Sequence, residues 1–485
     1  MLSTGILPGF CSLVGISRGK DAQSRLSQQL KRARNSSASQ LESLFGEVVP
    51  ADELDRFSIR KRRYCQRNTF WAYVGQILGD GGSQGSLRDA VRGLQANQSQ
   101  PGSASTAGYA QARMRLSPGL IQRVHERLRA GFDARQGDVD GFAGRRIRLV
   151  DATTVSAADT EVNQVVFPQP LQCEAGCGFP LIRITALFDL NTASLVKASV
   201  TNTDTGELTA TVVDLLDELK PGDILVGDRC YQAYGLMAAT LQRKADVLVR
   251  VKEQKLPTFE RLKGGRRGDR MVRIKRPQNR NEVYDDCWRD FPRELTLRLV
   301  SFAGQSRDGQ RQTIHLLTSL TDHKAYPAKA IARLYRRRWQ IETGFGELKT
   351  TMGMDRLRSK SPAMVEKDIA MFLVSYNLIR YLHLQVSLRY DVPLELLSVK
   401  GTIDAALRFA PVIHHHRNLR RKAEALYDQL IALIFQDRLR PRPGRSEPRK
   451  RKHRNRGKEW LTRPRETYKN KPFQHDKITL VEALT

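Results

Sequence analysis

Acidic residues are scarce in this chain relative to basic ones. Its 485 residues include 51 Asp and Glu against 81 Lys and Arg, a formal net charge of +30. No apolar run approaches the ~18 residues that are needed to cross a bilayer. A charge of this size favours a polyanionic partner, and without a membrane segment the better candidate is nucleic acid.

Cysteine is scarce as well. The six cysteines are spread along the chain, which argues against a disulfide framework and for a reducing compartment. Cys173 and Cys177, in CEAGC, have the spacing of half a zinc site, but no second Cys or His pair matches it. We expect a glycine-bearing turn there. The histidines at 414–416 point to several helix faces, so we expect no metal site from them.

The chain is long enough for two to four domains. Residues 1–20 are expected to form a disordered leader, because no basic residues precede their short apolar run as they would in a secretory signal. Residues 21–140 show helical periodicity and predict a helical N-terminal DNA-binding region. Residues 391–436 predict a helical C-terminal region. Residues 437–485 predict a basic, largely disordered tail, because positions 438 to 458 hold eleven Lys/Arg and one Glu.

Between these regions the pattern changes to alternating strands and helices. Residues 141–252 contain β runs and helices that predict a mixed sheet with helices packed on it, an α/β fold. The β runs are RIRLVDA, LIRITALFDL, SLVKASVT, DILVGD and DVLVRVK. Residues 253–324 hold three more β-like runs between basic linkers and predict a β-rich insertion. Helices return in residues 325–390.

The segment YRRRWQIETGFGELKT, residues 335–350, is predicted to be one helix. At 100° per residue, Tyr335, Arg338, Glu342 and Lys349 lie within roughly 40° of one another and form a polar ridge beside an apolar stripe. An ordinary surface pair between Arg338 and Glu342, worth a few tenths of a kcal/mol, explains the helix equally well when it is taken alone.

Two aspartates elsewhere favour the functional interpretation. Asp151 ends RIRLVD and Asp228 ends DILVGD, so both are predicted at the carboxyl ends of strands, where α/β sheets place their sites. Asp223 and Asp189 are predicted to have structural turn roles. Three converging carboxylates would repel one another unless a divalent cation joined them, and hard oxygen ligands suit Mg²⁺ or Mn²⁺. Two such ions roughly 4 Å apart could serve phosphodiester chemistry.

On these residues the chain resembles the IS4 family of bacterial insertion-sequence DDE transposases, over roughly residues 60–390. The resemblance is carried by DATT around Asp151, by GDRCY around Asp228, and by the family's Y-R-E-K signature in residues 335–349. It implies an RNase H-like mixed-sheet catalytic core with a β-rich insertion, flanked by helical N- and C-terminal regions.

The resemblance also implies a mechanism and roles for the site residues. Asp151, Asp228 and Glu342 are expected to be catalytic and to bind two ions of Mg²⁺ or Mn²⁺. The expected activity is cut-and-paste transposition through a hairpin intermediate, without a covalent protein–DNA intermediate. Tyr335 and Arg338 are then expected to hold a flipped base, and Lys349 a backbone phosphate.

Further residues carry weaker expectations. Trp288 is a candidate stacking partner for the flipped base, and Trp339 is expected to pack in the core. Arg229 could bind phosphate or form an ion pair that holds the site together. Glu347 lies about 140° around the helix from Glu342 and is expected to be dispensable for cutting.

The expected partners are double-stranded DNA, as terminal inverted repeats and target, and a second copy of the chain in a synaptic homodimer. The expected location is the bacterial cytoplasm, in association with the nucleoid. Two alternatives stay open. One is a metal-dependent nuclease of the same fold without strand transfer, and the other is a non-catalytic basic DNA-binding protein.

Overall fold

The structure, a computed structural model, describes most of the chain between residues 40 and 440. The described residues are 40–57, 63–79, 86–96, 103–134, 142–263, 265, 268–278, 288–305, 311–440, 463, 464 and 467. The expected leader and most of the expected basic tail lie outside them. The chain divides into two compact units, one of residues 1–128 and 400–436 and one of residues 129–399 and 437–485.

The first unit is helical in its described part. Its helices, of which α6 and α13 run past the boundaries of the unit, are α1 Glu42–Phe45, α2 Ala51–Asp55, α3 Gln66–Leu78, α4 Leu87–Ala96, α5 Ala107–Arg115, α6 Pro118–Ala134, α13 Val399–His415 and α14 Arg420–Gln436. Helix α3 is buried on most of its surface, and Trp71 stacks on Phe45 with ring centroids 6.3 Å apart. Arg113 of α5 donates to the buried Tyr73 hydroxyl at 2.6 Å.

The second unit is built on one nine-stranded mixed sheet. Its strands are β1 Ile147–Ser156, β2 Leu181–Asp189, β3 Leu195–Asn202, β4 Ile224–Gly227, β5 Asp246–Arg250, β6 Glu260–Arg261, β7 Asp269–Lys275, β8 Glu294–Gln305 and β9 Arg311–Thr318. The strand order is β3-β2-β1-β4-β5-β9-β8-β7-β6. Among the described strands, the pairs β1–β4 and β4–β5 are parallel and the other neighbouring pairs are antiparallel. This is the mixed sheet of an RNase H-like α/β fold, which confirms the predicted fold class.

Helices accompany the sheet. They are α7 Glu161–Val166, α8 Glu207–Ala210, α9 Tyr234–Gln242, α10 Ala328–Arg336, α11 Trp339–Gly346 and α12 Pro362–Tyr390. Helix α12 is buried along most of its length, which agrees with the apolar sequence between Val365 and Val386. No helix among the described residues is both long enough and apolar enough to pass through a membrane.

The strands after residue 253 extend the core sheet instead of forming a separate one. Strand β9 pairs with β5 in antiparallel fashion, and β8, β7 and β6 follow it outward. The fully buried Arg298 of β8 donates two hydrogen bonds of 2.7 Å to Asp269 of β7. A buried guanidinium needs such a partner, so this pair ties the outer strands together.

A buried ionic cluster fixes β1 against its neighbours. Arg148 of β1 donates to Asp189 at 2.7 Å and to Asp223 at 3.3 Å, and all three side chains are almost fully buried. Asp189 also accepts from the Thr192 backbone N–H at 2.8 Å, and Asp223 accepts from that of Lys220 at 3.0 Å. The predicted structural turn roles of both aspartates are confirmed. The same contacts hold the start of β1 in register with the start of β4.

Candidate active site

The two aspartates of the predicted triad lie side by side at the middle of the sheet. The parallel ladder between β1 and β4 pairs Ile147 with Ile224 and ends at Leu149 and Val226. Continued by two residues, this register would place Asp151 opposite Asp228, and the charge of Asp228 does act on the Asp151 carboxyl. Neighbouring strands are about 4.8 Å apart, so both carboxylates reach one site.

The structure corrects the reason for which Asp151 was predicted. Asp151 is not at the end of its strand, because β1 continues to Ser156. Its antiparallel pairing with β2 runs on to Ser156 and Leu181, and this pairing extends the strand. What opens the site is the end of β4 at Gly227. Asp228 follows directly and accepts a 2.6 Å hydrogen bond from the Cys230 backbone N–H.

Glu342 reaches the same place from helix α11. Arg338, the residue before that helix, donates through Nη1 to Asp151 Oδ2 at 3.2 Å and through Nη2 to Glu342 Oε1 at 2.9 Å. One guanidinium therefore joins two members of the triad. The Arg338 side chain is largely buried, so the pair is worth more here than an exposed pair on a helix surface would be. The alternative of an ordinary exposed surface pair therefore does not describe the contact between Arg338 and Glu342.

The surroundings raise the pKa of Asp151 to about 6. The main cause is burial, which disfavours the charged carboxylate. The Ala152 N–H and Arg338 act in the opposite direction, and the negative charges of Asp228 and Glu207 add to the rise. A bound cation would favour the charged carboxylate and so lower this pKa.

Glu207 was missed by the sequence analysis. It opens helix α8, and the hydroxyl of the buried Tyr231 donates to its Oε2 at 3.5 Å. Its charge also acts on Cys230, whose pKa rises to about 11, chiefly through burial and then through Asp228 and Glu207. An acidic residue in the first turn of a helix is ordinary, so the sequence offered no signal that this one faces the site.

The remaining signature residues also lie at the site. Tyr335 is buried, with the Arg338 Cζ 6.0 Å from its ring centroid. Lys349 Nζ donates to Thr153 Oγ1 at 3.1 Å. Thr153 is two residues beyond Asp151, on the same face of β1. All four side chains of the signature therefore converge on the edge that Asp151 and Asp228 form.

The prediction that residues 335–350 form one helix is wrong. Helix α10 ends at Arg336, and α11 begins at Trp339. The two-residue turn between them is closed by hydrogen bonds from the Arg337 N–H to Leu334 O and from the Arg338 N–H to Tyr335 O. A π-helical segment follows at Glu347–Thr351. The backbone is overwound at the turn and underwound at the π segment, so a constant 100° per residue does not apply.

Two tryptophans lie differently from expectation. Trp339 is 49% exposed, so the prediction that it packs in the core is wrong. Trp288 packs against the second unit's core, with its ring centroid 6.2 Å from that of Tyr234 and 5.8 Å from that of Phe291. Its expected stacking role stays a prediction. Arg229 is exposed beside Asp228, and none of the ion pairs between described residues involves it.

An open cleft of about 730 Å³ lies against this edge of the sheet. Its lining includes Thr153 and Thr154 from β1, Cys230 from the turn after Asp228, and Glu207. Arg183 and Lys252 add positive charge. A cleft of this size and polarity at strand ends is an ordinary place for a substrate.

The donor set fits a divalent metal ion in its chemistry. Asp151, Asp228 and Glu342 offer only carboxylate oxygens, the ligands that Mg²⁺ and Mn²⁺ prefer. Among the described residues, however, no three His, Cys, Asp or Glu side chains are close enough together to hold an ion. The guanidinium of Arg338 pairs with both Asp151 and Glu342. It supplies there the positive charge that a cation would bring.

Comparisons with known proteins find similarity to transposases. Residues 142–378, which carry all three acidic residues, match the family model described as transposase DDE domain. The chain is 27% identical over 330 residues to the transposase InsG for insertion sequence element IS4 of Escherichia coli strain K12, covering 67% of this chain and 71% of InsG. It is also 27% identical over 269 residues to the transposase for insertion sequence element IS421 of Escherichia coli, covering 49% and 66% of the two chains.

Proposed function

We propose that this chain, which belongs to the IS4 family of DDE transposases, uses Asp151, Asp228 and Glu342 as its catalytic residues. The chain is a DNA transposase and depends on divalent metal, as that family does. The observation that supports the assignment is the convergence of the three side chains from β1, the end of β4 and α11, with Arg338 bonded to two of them.

The three carboxylates are proposed to hold two ions of Mg²⁺ or Mn²⁺. When bound, such ions would activate the attacking oxygen and stabilise the leaving oxygen of a phosphodiester. In the first cut the attacking oxygen belongs to water, and in the joining step it belongs to a DNA 3′-hydroxyl. Each time, the new phosphorus–oxygen bond forms as the bond to the leaving 3′-oxygen breaks. The attacking oxygen loses a proton, and the leaving oxygen gains one.

Arg338 is proposed to change partners when DNA binds. In the free chain its guanidinium neutralises Asp151 and Glu342. A DNA phosphate can accept two parallel N–H bonds from one guanidinium, a geometry that two separate carboxylates do not offer. Once Arg338 has moved to phosphate, both acidic side chains can turn to a cation.

The other signature residues are proposed to handle the DNA beside the reacting phosphate. Tyr335 and Arg338 would hold a base that has left the stack, and Lys349, already directed at β1 by Thr153, would bind the backbone. Arg229 is exposed and available for a phosphate contact. Excision through a hairpin, terminal inverted repeats as the recognised ends and a synaptic homodimer are parts of the same proposal. Action at the bacterial nucleoid and non-specific DNA binding by the tail belong to it too.

The decisive experiment incubates the full chain with DNA that carries the element's terminal inverted repeats, with and without Mg²⁺. Nicks, hairpins and joined products are scored separately. The proposal expects all three with Mg²⁺ and none without it. Nicks without joined products would support the nuclease alternative instead, and binding without any cut would support the non-catalytic one.

Variants assign the catalytic residues within that experiment. Asp151→Ala, Asp228→Ala and Glu342→Ala are each expected to slow cleavage by about 10³-fold or more, while end binding in a gel-shift assay stays intact. Asp217→Ala is the matched control, because Asp217 is exposed and pairs only at the surface with Arg243. If one of the three variants cuts at the normal rate, that residue is not part of the site.

A further inference from the structure

The segment between β1 and β2, residues 157–180, has an unusual surface. We call it the connector. Thirteen large hydrophobic side chains are exposed among the described residues, and five of them lie here: Val162, Val165, Val166, Leu171 and Phe179. Leu171 is 93% exposed and Val165 is 78% exposed. Apolar side chains concentrated in this way mark an interaction surface more often than a chance exposure.

The charge of the connector argues against DNA as its partner. It contains Asp159, Glu161 and Glu174 but no Lys or Arg, in a chain that has 81 basic residues. A negative surface repels a polyanion, and it attracts a basic segment that can also cover apolar side chains. The complementary partner is therefore a basic peptide.

The connector is held in place by hydrogen bonds to the rest of its unit. Thr160 Oγ1 donates to Lys360 O at 3.0 Å, and the Asn163 side chain donates to Ser359 O at 3.1 Å. The Gln169 amide binds the turn that follows, donating to Glu174 O at 2.8 Å and accepting from the Gly176 N–H at 3.1 Å. The surface is thus formed before any partner binds, which lowers the entropic cost of docking.

The chain's own C-terminal tail already touches the connector. Pro464 packs on Gly176, and its Cβ lies 3.5 Å from the position that a β-carbon would take there. From residue 438 to the end, the tail contains sixteen Lys/Arg against five Asp/Glu. Around Pro464 it carries the sequence EWLTRPRET, residues 459–467, with two large apolar side chains and two arginines.

We propose that residues 459–467 of the tail dock on the connector of the same chain, with the apolar side chains over Val165 and Leu171 and the arginines toward its carboxylates. The contact of Pro464 with Gly176 is the anchor. Docking fixes the middle of the basic tail to the segment that follows the strand carrying Asp151.

Limited trypsin digestion of the full chain tests this, with the cleavage rate after Arg465 as the readout. The double variant V165D/L171D should be cut there about tenfold faster than the unaltered chain, because docking is weakened. Both side chains are highly exposed, so the fold does not depend on them. Val213→Asp is the control, since Val213 is 62% exposed but lies outside the connector, and its rate should not change.

A variant in the tail completes the test. Pro464→Asp should raise the same rate, and combining it with V165D/L171D should add little, as expected for two sides of one contact. Additive effects, or rates equal to that of the unaltered chain, would overturn the proposal. The proposal would also be overturned if light scattering showed a dimer that V165D/L171D converts to a monomer, because a second copy of the chain would then cover the connector. A loss of DNA affinity in V165D/L171D that Pro464→Asp does not share would overturn it as well.

Discussion

Glu347 links the segment after helix α11 to helix α12, and its removal should lower the stability of the fold. Its carboxylate forms an ion pair with Arg380 of α12 and lies 3.3 Å from the Tyr376 hydroxyl. Arg380 is almost fully buried and also donates to the Tyr376 hydroxyl at 2.9 Å. The contacts lie five residues beyond Glu342, at the start of the π-helical segment. They therefore set the position of α11 relative to α12.

Glu347→Ala would leave the Arg380 guanidinium buried without its carboxylate. Breaking a buried pair in this way costs about 3–5 kcal/mol, because the remaining charge is uncompensated. Glu347→Gln keeps a hydrogen-bond acceptor in place and should cost less, about 1–3 kcal/mol. We also expect both variants to cut DNA more slowly under conditions in which they are still folded. The contact with α12 that positions the helix carrying Glu342 is weakened in both.

Urea unfolding followed by fluorescence measures the first effect, and single-turnover cleavage measures the second. Glu366→Ala is the matched control: Glu366 is an exposed acidic residue of α12, and its removal should change the unfolding free energy by about 0.5 kcal/mol or less. If Glu347→Ala loses no more stability than Glu366→Ala, the ion pair does not support the helix. The expectation from the sequence that Glu347 is dispensable would then be the better one.

Further predictions concern an aromatic side chain and a buried acid. Trp339→Ala should lower the hairpin yield more than Trp288→Ala, because Trp339 is exposed next to Arg338 whereas Trp288 packs on Tyr234; gel analysis of the cleavage products decides it. Burial raises the pKa of Asp368 to about 8, above its unfolded value of about 4. The stabilising contribution of this protonated carboxyl to the free energy of unfolding is thus complete below about pH 4. It is lost between about pH 4 and pH 8, at about 1.4 kcal/mol per pH unit. Asp368→Asn should flatten the pH dependence of the urea midpoint and raise that midpoint at pH 7.5. An unchanged pH profile would contradict the raised pKa of Asp368 in the folded state.

The strand prediction worked where a short apolar run ended in a polar residue. DILVGD predicted the position of Asp228 directly after a strand correctly, because all four residues of β4 are buried and the strand ends at Gly227. RIRLVD was predicted to end at Asp151, but the following residues, ATTVS, pair with β2 and extend β1. Pairing with a distant strand cannot be read from a local pattern.

The prediction of one continuous helix over residues 335–350 failed because a short turn interrupts it. No Gly or Pro marks the turn at Arg337 and Arg338, so nothing in the sequence signals the break between α10 and α11. The exposure of Trp339, in contrast, was available from the sequence. At 100° per residue it lies about 200° from Ile341, on the side opposite the apolar stripe. The position of Trp339 relative to the apolar stripe therefore predicts an exposed side chain.

The exchange of partners proposed for Arg338 would make DNA binding and cation binding interdependent. A phosphate that takes a bidentate contact with Nη1 and Nη2 would displace their hydrogen bonds of 3.2 and 2.9 Å to Asp151 and Glu342. When DNA takes the guanidinium, two carboxylates lose their counter-charge and attract a cation more strongly. By linkage, a cation bound to those carboxylates must strengthen DNA binding by the same factor. DNA affinity measured with and without Ca²⁺ reports this coupling, and Arg338→Met should abolish it; a coupling that survives in Arg338→Met would mean that Arg338 does not exchange one partner for the other.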